Sequence, residues 1–418
     1  MWSFRRKKKQ KARIANIFGE EDRVRRALAA GDFSPENVKF FRELAERRQK
    51  PADLVNLHRK IGQAELASLV HMPEFSHCSS RYNESRAIWA AKAGGPLRIA
   101  MFHVNQWHAR LCEDVAELAG EELILRTDDE QELLSARPDA VISSYLPPDM
   151  VGRMRANLPE TFWLYLRHGV ANKRASFGIA GAFDAVCVSS QYIADFYCDT
   201  GFFPKEDIWI TGYPPMDRLP EQRKFPSAGR RTVLYAPTFT PGLSSAASFR
   251  AELPAGILSV DSQLNMVVKL HPEMFNSDPA TWEQYRQTCR KFGRAEFVED
   301  READLISLFG KTDILVSDFS STAFLFLATG RPVVFLTPHG AEEGNEWLDP
   351  EGLEWKWRDM AEEVRDIPSL TAVLRKILDG QDDYAAIRKK YCKLLFDDTL
   401  DGQSAKRVMQ RLGLAFGR

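Results

Sequence analysis

The sequence predicts an α/β protein made of two parallel, doubly wound sheets. Three observations lead there. From residue 96 onward, short apolar runs alternate with helical stretches, which is the βαβ rhythm of a parallel sheet. The rhythm pauses at the polar stretch 221–231 and then restarts, so the chain holds two such series. Several apolar runs end in His, Ser, Thr or Lys, and open α/β sheets bind ligands outside the carboxyl ends of their strands.

The elements follow in order. Residues 1–19 form a basic tail, with Arg5, Arg6, Lys7, Lys8, Lys9, Lys11 and Arg13 beside Trp2 and Phe4. Residues 20–95 read as a helical extension and connection. Ser34 and Pro35 suit a helix start, and Val38, Phe41 and Leu44 follow at helical spacing. In the first series, strands are expected at 97–102, 123–125, 140–143, 162–166, 185–188 and 208–211, with helices at 109–118 and from about Pro148. In the second they are expected at 233–236, 265–270, 297–298, 313–316 and 333–336, with mostly helix from Thr371. The domains are therefore 96–220 and 231–418. Two Rossmann-like domains facing a cleft, after an N-terminal helical extension, describe a GT-B-like architecture.

Composition narrows the class. At 418 residues the chain is too long for one typical core. Its 44% hydrophobic and 28% charged content fits a soluble globular protein. No apolar run reaches roughly 18 residues, and no apolar core follows the basic start, so neither a membrane span nor a secretory signal is expected. The six cysteines lack CxxC spacing and read as reduced thiols of a cytoplasmic protein, with Cys187 a small buried residue. The basic tail has two readings. It is either a solvated segment meeting nucleic acid only nonspecifically, or a peripheral anchor on the anionic inner face of the cell membrane. In the second reading each Lys or Arg contributes on the order of 1 kcal/mol. GxGxxG, Walker A, HExxH and nucleophile-elbow motifs are absent, which argues against nicotinamide, P-loop, zincin and serine-hydrolase chemistry.

The segment 312–332 is the most informative stretch. Its buried strand runs into the polar turn of Ser317, Asp318, Phe319, Ser320, Ser321 and Thr322, and an apolar helix then stops at Gly330. Backbone N–H groups, a helix dipole and three hydroxyls (Ser320, Ser321, Thr322) would converge there on an anion. Ser and Thr also cap ordinary helices, so the turn alone decides nothing. Two upstream strands add weight. One delivers Lys269, His271 and Pro272, and the other Pro237 and Thr238. In the first half, another strand ends in His168, followed by Gly169, which permits close backbone approach, and by Lys173. A core or turn role suits either histidine alone. Together, across a cleft, one could take a proton from an acceptor hydroxyl while the other stabilises phosphate charge.

In these residues the chain resembles the CDP-glycerol glycerophosphotransferases that prime or extend teichoic acids and related capsule polymers. The resemblance rests on His168-Gly169 with Lys173, Gly212-Tyr213-Pro214 with Asp217, and Tyr235-Ala236-Pro237-Thr238. It continues through Lys269-Leu270-His271-Pro272, Ser317-Asp318-Phe319-Ser320-Ser321, and the stretch from Phe396 to Ser404 with Arg407. It runs from about residue 160 to the C-terminus. The family more often has Tyr at the Phe319 position.

The resemblance implies attack of an acceptor hydroxyl on the β-phosphorus of CDP-glycerol or another CDP-alditol, with CMP released and a phosphodiester formed. His168 would be the general base, and His271 would bind the pyrophosphate. Ser320 and Ser321 would hold phosphate, Thr238 and Lys269 would line the same cleft, and Asp318 would orient the turn. Asp398 and Gln403 would close the site. The acceptor would be a cell-surface glycan or a lipid-linked molecule, with no specific nucleic acid partner. No dense carboxylate cluster marks a tightly held metal, which leaves Mg2+ as an assistant on the pyrophosphate.

Two other readings stand at this point. A GT-B glycosyltransferase using CMP-activated sialic acid or Kdo would also employ a His-Pro and a Ser-Ser/Thr element. Such an enzyme should carry an acidic base in its first half, where Asp128, Asp129 and Glu130 look like a solvated run. A non-catalytic scaffold of a capsule assembly complex would need neither histidine.

Overall fold

The computed structural model describes residues 96–158, 160–171, 180, 183–200, 205–219, 230–250, 252–341 and 352–417. The basic tail, the N-terminal helical extension and Lys173 lie outside the described residues. The chain forms two compact units.

The first unit carries the strands β1 (Ile99–Phe102), β2 (Leu123–Thr127), β3 (Ala140–Ser143), β4 (Phe162–Leu166), β5 (Ala185–Val188) and β6 (Ile208–Ile210). They form one parallel sheet in the order β2-β1-β3-β4-β5-β6. Central strands β1, β3, β4 and β5 are buried throughout, as a sheet covered on both faces requires, whereas edge strand β2 alternates. Ile99, Met101, Ala140, Ile142, Phe162, Leu164 and Leu166 share one core face by the period of two.

The second unit carries β7 (Arg231–Tyr235), β8 (Leu264–Val268), β9 (Ala295–Phe297), β10 (Ile314–Ser317), β11 (Val333–Leu336) and β12 (Glu362–Val364). Its parallel order is β12-β11-β10-β7-β8-β9, the arrangement of a Rossmann sheet with its topological switch between β7 and β10. Trp282, Tyr285 and Cys289 of helix Pro279–Arg290 pack under this sheet with Leu370, Val373 and Leu374 of helix Ile367–Leu378.

One device recurs in both units. Asp139, Asp184 and Asp313 each immediately precede a strand and accept a backbone N–H from the strand beside it or, for Asp139, from the residue just before that strand. The donors are Arg98 at 2.9 Å, Trp163 at 2.7 Å and Thr232 at 2.8 Å. Asp184 also takes both guanidinium bonds of Arg155, which ties helix Pro148–Asn157 to the sheet. These clips fix strand register at the end of the sheet away from the site.

Three departures from the sequence reading have physical causes. The helix expected at 109–118 is two shorter ones, Gln106–Arg110 and Glu113–Ala119. The Asn105 side chain caps His108 N at 3.1 Å and starts the first early, and a tight bond from Cys112 N to Ala109 O ends it. Edge strand β12 was not expected, because Glu362-Glu363-Val364 looks like surface sequence. The last helix, Ser404–Ala415, belongs to the first unit rather than to the 231–418 domain. Its Ala405, Val408 and Leu412, with Phe416, complete the first core, where Phe416 meets Phe162 edge-on. Among the described residues, no helix is long and apolar enough to cross a membrane.

Candidate active site

In the second unit, the sheet order puts the carboxyl ends of β8, β7 and β10 side by side across the switch point. Those ends lead into His271, Thr238 and the Ser317–Thr322 turn. Neighbouring strands lie about 4.8 Å apart, so the three ends bound one small area.

Asp318 builds this area from beneath. It is 1% exposed. One oxygen accepts Thr238 N at 2.7 Å, and the other accepts Ser245 N at 2.7 Å and Ser245 Oγ at 2.8 Å. Ser245 Oγ also pairs with the Tyr235 hydroxyl at 2.7 Å, and Ser317 Oγ donates to Ala236 O at 2.6 Å. The loops after β7 and β10 are thus laced together. Burial outweighs these donors and pushes the Asp318 carboxyl up to about 7. The sequence reading had Asp318 orient its own turn, whereas its side chain organises the loop after β7.

Ser320 Oγ donates to Thr322 Oγ1 at 3.0 Å and accepts Thr322 N at 3.3 Å, so it shapes the turn. Ser321 stands at the helix cap position without a side-chain cap bond, and both serines are half-buried, whereas Thr322 is buried. The helix itself is short, Thr322–Phe326, followed by a tighter turn to Gly330 in the left-handed region at φ 67°. Pro237 and Thr238 are buried beside the turn. Residues Gly169–Ala171 group with this unit, and a Cβ added at Gly169 would stand 3.7 Å from Ser321 Oγ.

His271 is half-buried, with the exposed ring of Phe239 4.4 Å away centroid to centroid. Glu273 N approaches His271 Nδ1 at 3.2 Å. A backbone N–H can only donate, so Nδ1 is an acceptor and the ring proton sits on Nε2. His271 therefore offers an N–H, which suits a phosphate oxygen. Lys269, 6% exposed, donates from Nζ to Arg301 O at 2.8 Å, a bond that anchors the loop after β9.

In the first unit, His168 follows β4 by two residues and is half-buried. Its Nδ1 lies 3.3 Å from Ser144 O and 3.2 Å from the Tyr165 hydroxyl. A carbonyl can only accept, so the Ser144 contact favours a proton on Nδ1 and the basic lone pair on Nε2. The contacts of the two histidines thus favour opposite tautomers.

Asp398 and Gln403 both face solvent. The Asp398 side chain is 94% exposed and pairs with Lys393, and exposed Gln403 precedes helix Ser404–Ala415. Arg407 of that helix donates to Thr211 O at 3.3 Å, next to Gly212, which adopts φ 89°. Two stretches of the quoted resemblance therefore meet in the first unit. Sequence reasoning missed Ser144, Tyr165, Ser245 and Phe239. Tyr165 lies at a strand position that looks like plain core and Ser144 in the loop just after β3, and only the spacing of Tyr165 three residues before His168 could have flagged a link.

Comparison with known proteins then places the chain. The family model described as CDP-Glycerol:Poly(glycerophosphate) glycerophosphotransferase matches residues 167–414. The chain belongs to this family. A Teichoic acid glycerol-phosphate primase of Bacillus spizizenii is 27% identical over 177 residues, which is 38% of this chain and 41% of that protein. The match thus spans about two-fifths of the curated relative's length. The Wall Teichoic Acid Polymerase TagF is similar in structure at TM-score 0.57 and 14% identity, covering 87% of this chain and 98% of its own. S. aureus MnaA, solved with UDP, is similar at TM-score 0.51 and 12% identity, covering 76% of this chain and 95% of its own. These likenesses show a GT-B-like α/β fold for this glycerophosphotransferase family member.

Proposed function

We propose that this chain transfers a glycerol phosphate, or a related alditol phosphate, from its CDP-activated form to a hydroxyl of a cell-surface glycan or lipid-linked acceptor, releasing CMP. Family membership supports the donor class. The single observation that carries the chemistry is the pair of Nδ1 contacts, Ser144 O to His168 and Glu273 N to His271, which favour opposite tautomers at strand ends.

In this reading the acceptor hydroxyl attacks the β-phosphorus and loses its proton to His168 Nε2. A new phosphorus–oxygen bond forms as the bond to the CMP oxygen breaks. CMP leaves with the electron pair, and His271 Nε2–H donates to a phosphate oxygen as charge builds there. The Ser320–Thr322 turn binds the phosphates through hydroxyl and N–H groups, with Thr238 beside it. Phosphoryl transfer depends mainly on positioning and charge stabilisation, which such groups supply. Mg2+ would arrive with the pyrophosphate and neutralise part of its charge.

The test is CMP release from CDP-glycerol, with excess glycerol as acceptor. His168→Ala should lose about 10²- to 10⁴-fold in kcat, the usual weight of a general base. A His168→Ala protein that releases CMP at the wild-type rate would remove the base from the mechanism.

A further inference from the structure

His168 is oriented by neutral groups of its own unit. Its Nδ1 meets two of them, Ser144 O at 3.3 Å and the Tyr165 hydroxyl at 3.2 Å. Neither bond is short, and together they form a fork in which the carbonyl fixes the proton on Nδ1 and the hydroxyl oxygen narrows the ring's swing.

Both prongs are rigid. Ser144 is 1% exposed, and its Oγ donates to His108 O at 2.9 Å, which clamps the loop after β3 onto the helix after β1. Tyr165 is fully buried, and its ring stacks on Phe183 at 5.0 Å. Burial holds its phenol well above the ordinary value, so the hydroxyl keeps its proton at working pH. The ring of His168 is also walled. Tyr145 stands edge-on to it at 5.6 Å and stacks on His108 at 4.9 Å, while His108 meets His168 edge-on at 6.0 Å. The loop ends of β1, β3 and β4 thus converge on one imidazole.

Resting on the assignment of His168 as the base, we infer that Tyr165 is a positioning residue that holds His168 in the Nδ1-protonated tautomer together with the Ser144 carbonyl. Nothing else about Tyr165 calls for a hydroxyl. A Phe at this buried strand position would fill the same volume and leave the stacking on Phe183 intact. The hydroxyl is therefore spent on His168, and its loss should cost orientation rather than donor binding.

Two measurements on the full chain test this. In CMP release from CDP-glycerol with glycerol as acceptor, Tyr165→Phe should lower kcat about ten- to a hundredfold, the penalty of a misaligned reacting group, with KM for CDP-glycerol unchanged. In 15N-histidine NMR, the signals that vanish in His168→Ala should report a proton on Nδ1 in the wild type, and Tyr165→Phe should shift them toward a tautomer mixture. The NMR measurement needs no turnover, and the wild-type tautomer is read without the Tyr165→Phe variant. A wild-type kcat in Tyr165→Phe, or an Nε2-protonated His168 in the wild type, overturns the inference. Loss of activity in His168→Ala beside an unaffected Tyr165→Phe overturns the positioning role alone. Full activity in His168→Ala overturns the base assignment and the positioning role with it.

Discussion

At Asp318 one carboxyl group receives three hydrogen bonds where almost no water reaches. Its pKa rises from 3.8 to about 7 because desolvation exceeds the help of those donors. The sign of the pH effect follows. Between about pH 4 and 7 the folded chain keeps a proton that the unfolded chain has released. The stabilisation is therefore full below the unfolded pKa and is lost as pH rises through about 7. The urea midpoint for unfolding of the second unit should fall between about pH 5 and pH 8. Asp318→Asn should flatten that slope, because an amide does not titrate. It should also cost about 1–3 kcal/mol, since an NH2 group would face a backbone donor. An unchanged slope in the variant would assign the pH dependence to another group. At this scale the sequence was legible where residue type and place agreed. His168, His271 and the serine turn stand at strand ends, and motifs flag them. The supporting residues were not legible, because the partners of Asp318 come from 73 and 80 residues away. Lys269 also stands at a strand end, and its ammonium meets the Arg301 carbonyl, a partner that no local pattern reveals.

Elements were read best where burial is continuous. Strands β3, β4, β5 and β11 match their expected limits, because their apolar runs are bounded by polar or turn residues. Strand β12 escaped notice for the opposite reason. Its Glu363 is held by Arg358 at 2.8 Å and Thr337 at 2.6 Å, contacts that no local pattern reveals. Helix packing adds a test at this scale. Gly256 lies in helix Glu252–Ser259, where a Cβ would overlap Cγ2 of Ile367 on helix Ile367–Leu378. Gly256→Ala gains about 1 kcal/mol of helix propensity but overpacks this contact by roughly 1–3 kcal/mol. A lower thermal midpoint is expected. A raised midpoint would mean that Ile367 moves aside freely.

For the molecule as a whole, the division into two doubly wound units was legible from the pause at 221–231, and the comparisons bear out the fold class. The return of the C-terminal helix to the first unit was not. An amphipathic helix shows which face it buries but not which sheet receives it. The Rossmann strand order of the second unit also lay beyond a pattern of strands, though it explains why the informative motifs follow β7, β8 and β10. Strands β7 and β10 flank the switch point with β8 next to β7, and residues bearing chemistry gather at such points because the loops diverge and leave a crevice. The central claim is alditol-phosphate transfer, and 31P NMR of the wild-type chain with CDP-glycerol, CDP-ribitol or CMP-sialic acid, each with excess glycerol, tests it most directly. The account predicts a new phosphodiester resonance together with CMP from a CDP-alditol. CMP from CMP-sialic acid alone, with no phosphodiester from either CDP-alditol, would contradict it.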